Sequence, residues 1–82
     1  MSKRATLEEL AVLLKDAEAR TPVGSEWKHY KGTVYTLTGH AIIESDSSVA
    51  VLYRNPEGIV FSRPLSEFTE TVGTQKRFQK IS

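Results

Sequence analysis

The apolar positions of this chain change their period once, near residue 24, and the change splits the sequence into a helical part and a stranded part. Leu7, Leu10, Ala11, Leu14 and Ala17 recur at helical spacing, with Leu13 on the flank and Lys15, Asp16 and Glu18 largely outside the stripe. Thr6-Leu7-Glu8-Glu9 is a capping box, in which the Thr6 hydroxyl accepts from the Glu9 amide and the Glu9 carboxylate reaches back to the Thr6 amide. Thr21-Pro22 and Gly24 end the helix, because the residue before proline is driven out of helical geometry and glycine suits the exit. The pattern predicts a helix over about 6–20. Its leucine stripe reads first as a cover for the domain's own sheet, and second as a face for a partner or another copy.

From Trp27 onward the period is two. Within 33–43, Tyr35, Leu37, Gly39, Ala41 and Ile43 share one face of a long strand, and Thr36, Thr38 and His40 share the other. Gly39 in mid-strand predicts a bend or bulge. Residues 44–48 form a polar turn before a second strand at 49–54. Asn55-Pro56-Glu57-Gly58 suits a type I turn and closes a hairpin into 59–63, which Pro64 stops. Leu65-Ser66-Glu67-Phe68 is long enough for one helical turn, 77–81 supplies a last strand with Phe78 inward, and 27–30 supplies the first. One N-terminal helix followed by about five strands predicts a mostly β fold, an SH3-like partly open barrel. The alternative is an α+β layer with the helix packed on an antiparallel sheet.

Length and composition narrow the class of object. At 82 residues the chain is expected to form a single domain, 1–82, with a β-rich region at 24–81. Hydrophobic residues at 39% and charged residues at 26% are globular values. No apolar run approaches the roughly 20 residues of a spanning helix, and the Met1-Ser2-Lys3-Arg4 start leads into an acidic amphipathic stretch rather than a signal peptide. A cytoplasmic protein with no membrane partner is the expectation. The absence of cysteine removes disulfides, thiolate metal sites and cysteine nucleophiles.

The formal net charge is +1 and the pI about 8.1, below the value of about 9 typical of dedicated duplex binders, so nucleic acid is the less expected partner. Residues 1–26 carry four basic and five acidic groups, whereas 27–82 carry seven and five. An anion, if bound, belongs to the second part.

His29-Tyr30-Lys31-Gly32, Tyr53-Arg54, Arg63-Pro64, Phe68 and Arg77-Phe78, in this order, resemble the bacterial and phage family called domain of unknown function 1653. The resemblance covers about 24–81 and leaves the helix outside; Phe61 stands where the family often has tryptophan. It implies a small β-rich domain and brings no established activity.

Enzymatic chemistry is not expected. Neither histidine sits beside a serine or aspartate in an elbow or triad context, and Glu44/Asp46 and Glu67/Glu70 read as surface charge rather than acid/base pairs. His29 and His40 could meet across neighbouring strands, but two histidines without a carboxylate partner are a weak metal signal, so no metal and no cofactor are expected. Five scattered glycines make no phosphate loop.

The stronger signal is aromatic residues interleaved with base: Trp27-Lys28-His29-Tyr30-Lys31, Tyr53-Arg54, Phe61-x-Arg63 and Arg77-Phe78. Aromatic faces stack on planar groups, and arginine forks grip phosphate or carboxylate. Trp27, Lys28, His29, Tyr30, Lys31, Arg54, Arg63 and Arg77 are therefore the ligand-binding candidates, whereas strand parity assigns Tyr53, Phe61, Phe68 and Phe78 to the core. Arg63 shares parity with Ile59 and Phe61, so its head either pairs with Glu67 or meets an anion.

The expected function is a non-catalytic binding domain for an anionic, nucleotide-like small molecule, by analogy with phage-type sequestering proteins. Its site would lie at a barrel mouth or be shared between subunits of a homo-oligomer, since so short a chain has little room for a deep pocket. The alternative is an SH3-like adaptor that binds single-stranded nucleic acid or a peptide partner.

Overall fold

The computed structural model describes residues 5–82; the Met1-Ser2-Lys3-Arg4 start lies outside the described residues. Helix α1 spans Leu7–Arg20, and both arms of its capping box form: Glu9 N donates to Thr6 Oγ1 at 3.1 Å, and Thr6 N donates to Glu9 Oε1 at 2.8 Å. The helix ends at Thr21, whose amide still donates to Ala17 O.

The strands are β1 (Glu26–His29), β2 (Val34–Ile43), β3 (Ser48–Arg54) and β4 (Val60–Pro64), then the single-turn helix α2 (Leu65–Phe68), the hairpin β5 (Thr71–Val72) and β6 (Gln75–Lys76), and finally β7 (Phe78–Lys80). Five of them form one antiparallel sheet in the order β4-β3-β2-β1-β7, so the last strand returns to lie beside the first. The sheet stays open, with β4 and β7 as its edges, and does not close into a barrel. Phe68 plugs the gap: α2 leaves directly from β4, and its Phe68 ring stacks on Phe78 of β7 with centroids 4.3 Å apart. Phe68 also meets Trp27 edge-on at 5.1 Å, and together with Leu37, Val51 and Tyr53 these residues make the core. The β5/β6 hairpin was not expected, because a strand of two residues has no period to read.

The bulge in β2 forms where glycine predicted it and reverses the face of everything beyond it. Leu37 pairs with Tyr53, Thr38 is left over, Gly39 pairs with Leu52 and His40 with Val51. Directly opposed residues share a face, so His40 and Ile42, not Ala41 and Ile43, continue the inner face of Leu37. The simple alternation read from the sequence fails at this point. His40 is carried under the end of α1, where its side chain is only 7% exposed. There Nε2 lies 2.8 Å from Thr21 Oγ1 and Nδ1 lies 3.6 Å from Glu18 Oε2. The Thr21 hydroxyl donates to Ala17 O at 2.7 Å, so its lone pair is left to accept from His40 Nε2.

The helix covers less of the sheet than its stripe suggested. Ala17 and Thr21 are fully buried and Leu10 and Leu14 half-buried, but Leu7 is 85% exposed. The stripe of α1 is therefore docked from Leu10 onward, and its first turn stands off the sheet. Among the described residues no helix is long and apolar enough to cross a membrane.

Candidate functional site

The inner face of the sheet does not end at the buried core; toward β4 it continues as a shelf of aromatic rings. β2 places Tyr35 opposite Trp27, and β3 places Tyr53 between Leu37 and Phe61. β1 places His29 opposite Phe78. Tyr35 stands edge-on to Tyr53 at 5.2 Å and to Phe61 at 6.1 Å, and His29 stands edge-on to Phe78 at 4.9 Å. Perpendicular packing of this kind matches ring edges to ring faces and fixes the rings against one another. Tyr35 is half-buried and Phe61 is 41% exposed, so the shelf offers part of its aromatic surface to solvent.

Cations surround this shelf. Arg63 follows Phe61 by two residues and so shares its face; its Nε donates to Tyr53 Oη at 3.4 Å and its Nη1 to Glu67 Oε1 at 3.3 Å. The bond to Tyr53 is the first reason that the Arg63 guanidinium is held above its already high pKa. Arg77 directs Nε and Nη2 at a single oxygen of Glu70, at 3.0 and 2.6 Å, and its own amide donates to Glu70 O. Lys31 sits in the turn after β1, where His29 N donates to Thr33 O and Gly32 takes a φ of +112° that an L side chain rarely adopts. The Lys31 ammonium lies 5.8 Å from the centre of the Tyr30 ring, and among the described residues it has no carboxylate partner.

His29 registers the resulting field. Partial burial, and then the positive charges of Arg77, Lys31 and Arg63, hold its pKa below the usual 6.5. Its Nδ1 accepts from the Lys31 amide at 3.1 Å, which leaves the proton of the neutral ring on Nε2.

The candidates read from the sequence thus separate. His29 and Arg63 share the inner face, the Lys31 amide donates to His29 Nδ1, Tyr30 N donates to Arg77 O, and the Tyr30 ring lies 4.5 Å from that of His29. Trp27 is buried in the core, where its Nε1 donates to Ser25 Oγ at 2.8 Å. Lys28 and Arg54 lie on the opposite face of the sheet, Lys28 across from Gln79 and Arg54 across from Thr36. Phe61, assigned to the core by parity, is on the inner face but at its open margin. Tyr35 was not singled out for a site at all. The available signal was an aromatic two positions before Arg63 on a strand that Pro64 ends, which marks an edge. Glu67 and Glu70, read as surface charge, are the carboxylates that orient the two arginines. His29 and His40 do not meet, and among the described residues no group of three or more His, Cys, Asp or Glu could hold a metal ion.

The profile of a family described as protein of unknown function (DUF1653) matches residues 25–80. The chain belongs to the DUF1653 family. No curated protein and no solved structure matches it. The DUF1653 region begins one residue before β1 and ends with β7, so it contains the whole five-stranded sheet, α2 and the aromatic shelf. Helix α1 lies outside it, and so do Thr21 and Glu18, the two residues that meet His40.

Proposed function

We propose that this DUF1653 domain is a non-catalytic binding module, acting in the cytoplasm, for an anionic, nucleotide-like small molecule seated on the aromatic shelf. The observation that carries the reading is the aromatic shelf itself, with Phe61 41% exposed and Arg63 beside it on the same face, its Nε held by Tyr53 Oη. A planar base stacks on an aromatic face, and a phosphate is held by the guanidinium forks and the lysine. Glu67 and Glu70 pair with the two arginines and offset their charge, whereas Lys31, among the described residues, has no carboxylate of its own. This near balance favours one small anion over a polyanion, whose several phosphates need an uncompensated basic track. A sequestering role of the phage type adds slow release to the same contacts.

Thermal-shift measurements with cyclic and linear nucleotides, paired with native mass spectrometry of freshly purified protein, test the reading. A ligand at about 100 times its dissociation constant stabilises the fold by about 2.7 kcal/mol, or roughly 10–20 °C for a domain of this size. Lys31→Ala and Phe61→Ala should each reduce that shift while the protein remains folded. A panel that shifts nothing, with no bound mass in the purified protein, refutes the proposal. A tight oligonucleotide complex whose affinity falls steeply with salt would replace it with the adaptor reading.

A further inference from the structure

The two edges of the sheet are not equally guarded. β7 is three residues long and ends on Lys80, with Lys76 just before it, and charged short edges resist pairing with another chain. β4 carries its charge and proline only at its far end, Arg63 and Pro64; the stretch before them, residues 58–62, reads Gly-Ile-Val-Phe-Ser, and Ile59, Val60 and Phe61 are 56%, 55% and 41% exposed. Its backbone is free as well. Asn55 N donates to Ile59 O, and the bonded pairs of an antiparallel ladder alternate. Phe61 and Arg63 therefore turn their peptide groups toward β3, and Val60 and Ser62 turn theirs toward the open edge.

We propose that the domain forms a two-fold dimer in which β4 pairs antiparallel with β4 of a second copy, centred on Val60. A two-fold axis at Val60 lets the outward amide and carbonyl of Val60 exchange hydrogen bonds with the carbonyl and amide of the partner's Val60. Ser62 falls opposite the partner's Gly58, whose amide is already spent on the Asn55 carbonyl of its own chain, so there only the Ser62 amide adds a bond, to the carbonyl of the partner's Gly58. Side chains agree with this register. Phe61 falls opposite the partner's Ile59 on the inner face, joining two exposed apolar groups, and Arg63 faces the turn that carries the partner's Glu57. Among the described residues Glu57 has no ion pair within its own chain. Axes at Phe61 or Ser62 lose this opposition of charge, setting Arg63 against the partner's Ile59 or the partner's Phe61. The pairing yields a continuous ten-stranded sheet, and the partner's Ile59 adds a wall to the shelf beside Phe61. It stands without the ligand reading, because it is tested with no ligand present.

Sedimentation velocity and native mass spectrometry of the ligand-free protein should find a species of twice 9.2 kDa that dissociates on dilution. Ser62→Pro removes only an outward amide, so the protein should fold and melt cooperatively yet sediment as a monomer. Val60→Lys places two like charges across the axis and should give the same result; it carries the test if the proline variant fails to fold. The chain has no cysteine, so Val60→Cys introduces one thiol per subunit, about 5.5 Å from its mate between Cα atoms, and should oxidise to a disulfide-linked dimer where Gln79→Cys on β7 does not. A wild-type monomer throughout the accessible concentration range overturns the proposal. So does a dimer that survives both Ser62→Pro and Val60→Lys, which would place the contact elsewhere.

Discussion

Replacing Thr21 by valine probes the bulge, the helix dock and the buried histidine in one measurement. Valine has the shape of threonine, and the extended backbone at this position (φ −134°, ψ 75°) suits a β-branched side chain, so the substitution leaves no cavity and adds no strain. What it removes is the hydroxyl that donates to Ala17 O at 2.7 Å and lies 2.8 Å from His40 Nε2. Ala17 O keeps the Thr21 amide as a donor, but His40 Nε2 loses its partner within a side chain that is 7% exposed. An unpartnered buried donor costs about 1–3 kcal/mol, against a total stability of roughly 4–12 kcal/mol for 82 residues. Urea unfolding followed through Trp27, the one tryptophan and itself a core residue, should show a lower midpoint with an unchanged slope. Thermal melts should fall by about 4–8 °C for each kcal/mol. Adding His40→Leu removes the orphaned donor, so the double variant should be more stable than additivity allows, with a coupling of about 0.5–3 kcal/mol. If Thr21→Val changes nothing and the two substitutions add, His40 does not lie beneath the helix and the register beyond Gly39 is wrong.

Three further outcomes follow from the same structure. His29 should titrate by NMR with a midpoint below 6.5, since partial burial and the neighbouring cations disfavour its charged form. The unfolded chain then binds the proton more readily, so the stability that His29 contributes is full above about 6.5 and is lost as pH falls through the folded-state value; His29→Gln should flatten that slope, and a midpoint above 6.5 would contradict the cationic surroundings. Gly39→Ala should be tolerated or slightly stabilising, within about 1 kcal/mol, because an added Cβ there meets nothing closer than Leu52 Cδ1 at 3.9 Å. Gly58→Ala should lose roughly 1–2 kcal/mol, because φ there is +89°, and paired denaturation curves compare the two directly.

The elements of this domain were legible wherever the determinant is local. A capping box, a period of 3.6, a period of two and an Asn-Pro-Glu-Gly turn each act over a few residues, and α1, β1 to β4, α2 and β7 lie within a few residues of where those signals put them. The position of the bulge was legible too, from a glycine inside a strand. Its consequence was not. One extra residue exchanges the faces of all that follows, and only the pairing of β2 with β3 reveals that His40 points inward to meet Thr21 and Glu18. The same division runs through the candidate site. Sequence supplied the residue types, aromatics alternating with lysine and arginine, and parity supplied the face of Arg63. Which of them meet was decided by the order β4-β3-β2-β1-β7, which gathers His29, Tyr35, Phe61 and Arg63 on one face and leaves Lys28 and Arg54 on the other. Strand order depends on contacts between residues far apart in the chain, whereas period and capping depend on neighbours; the first belongs to the fold as a whole, and the second is already written in each segment.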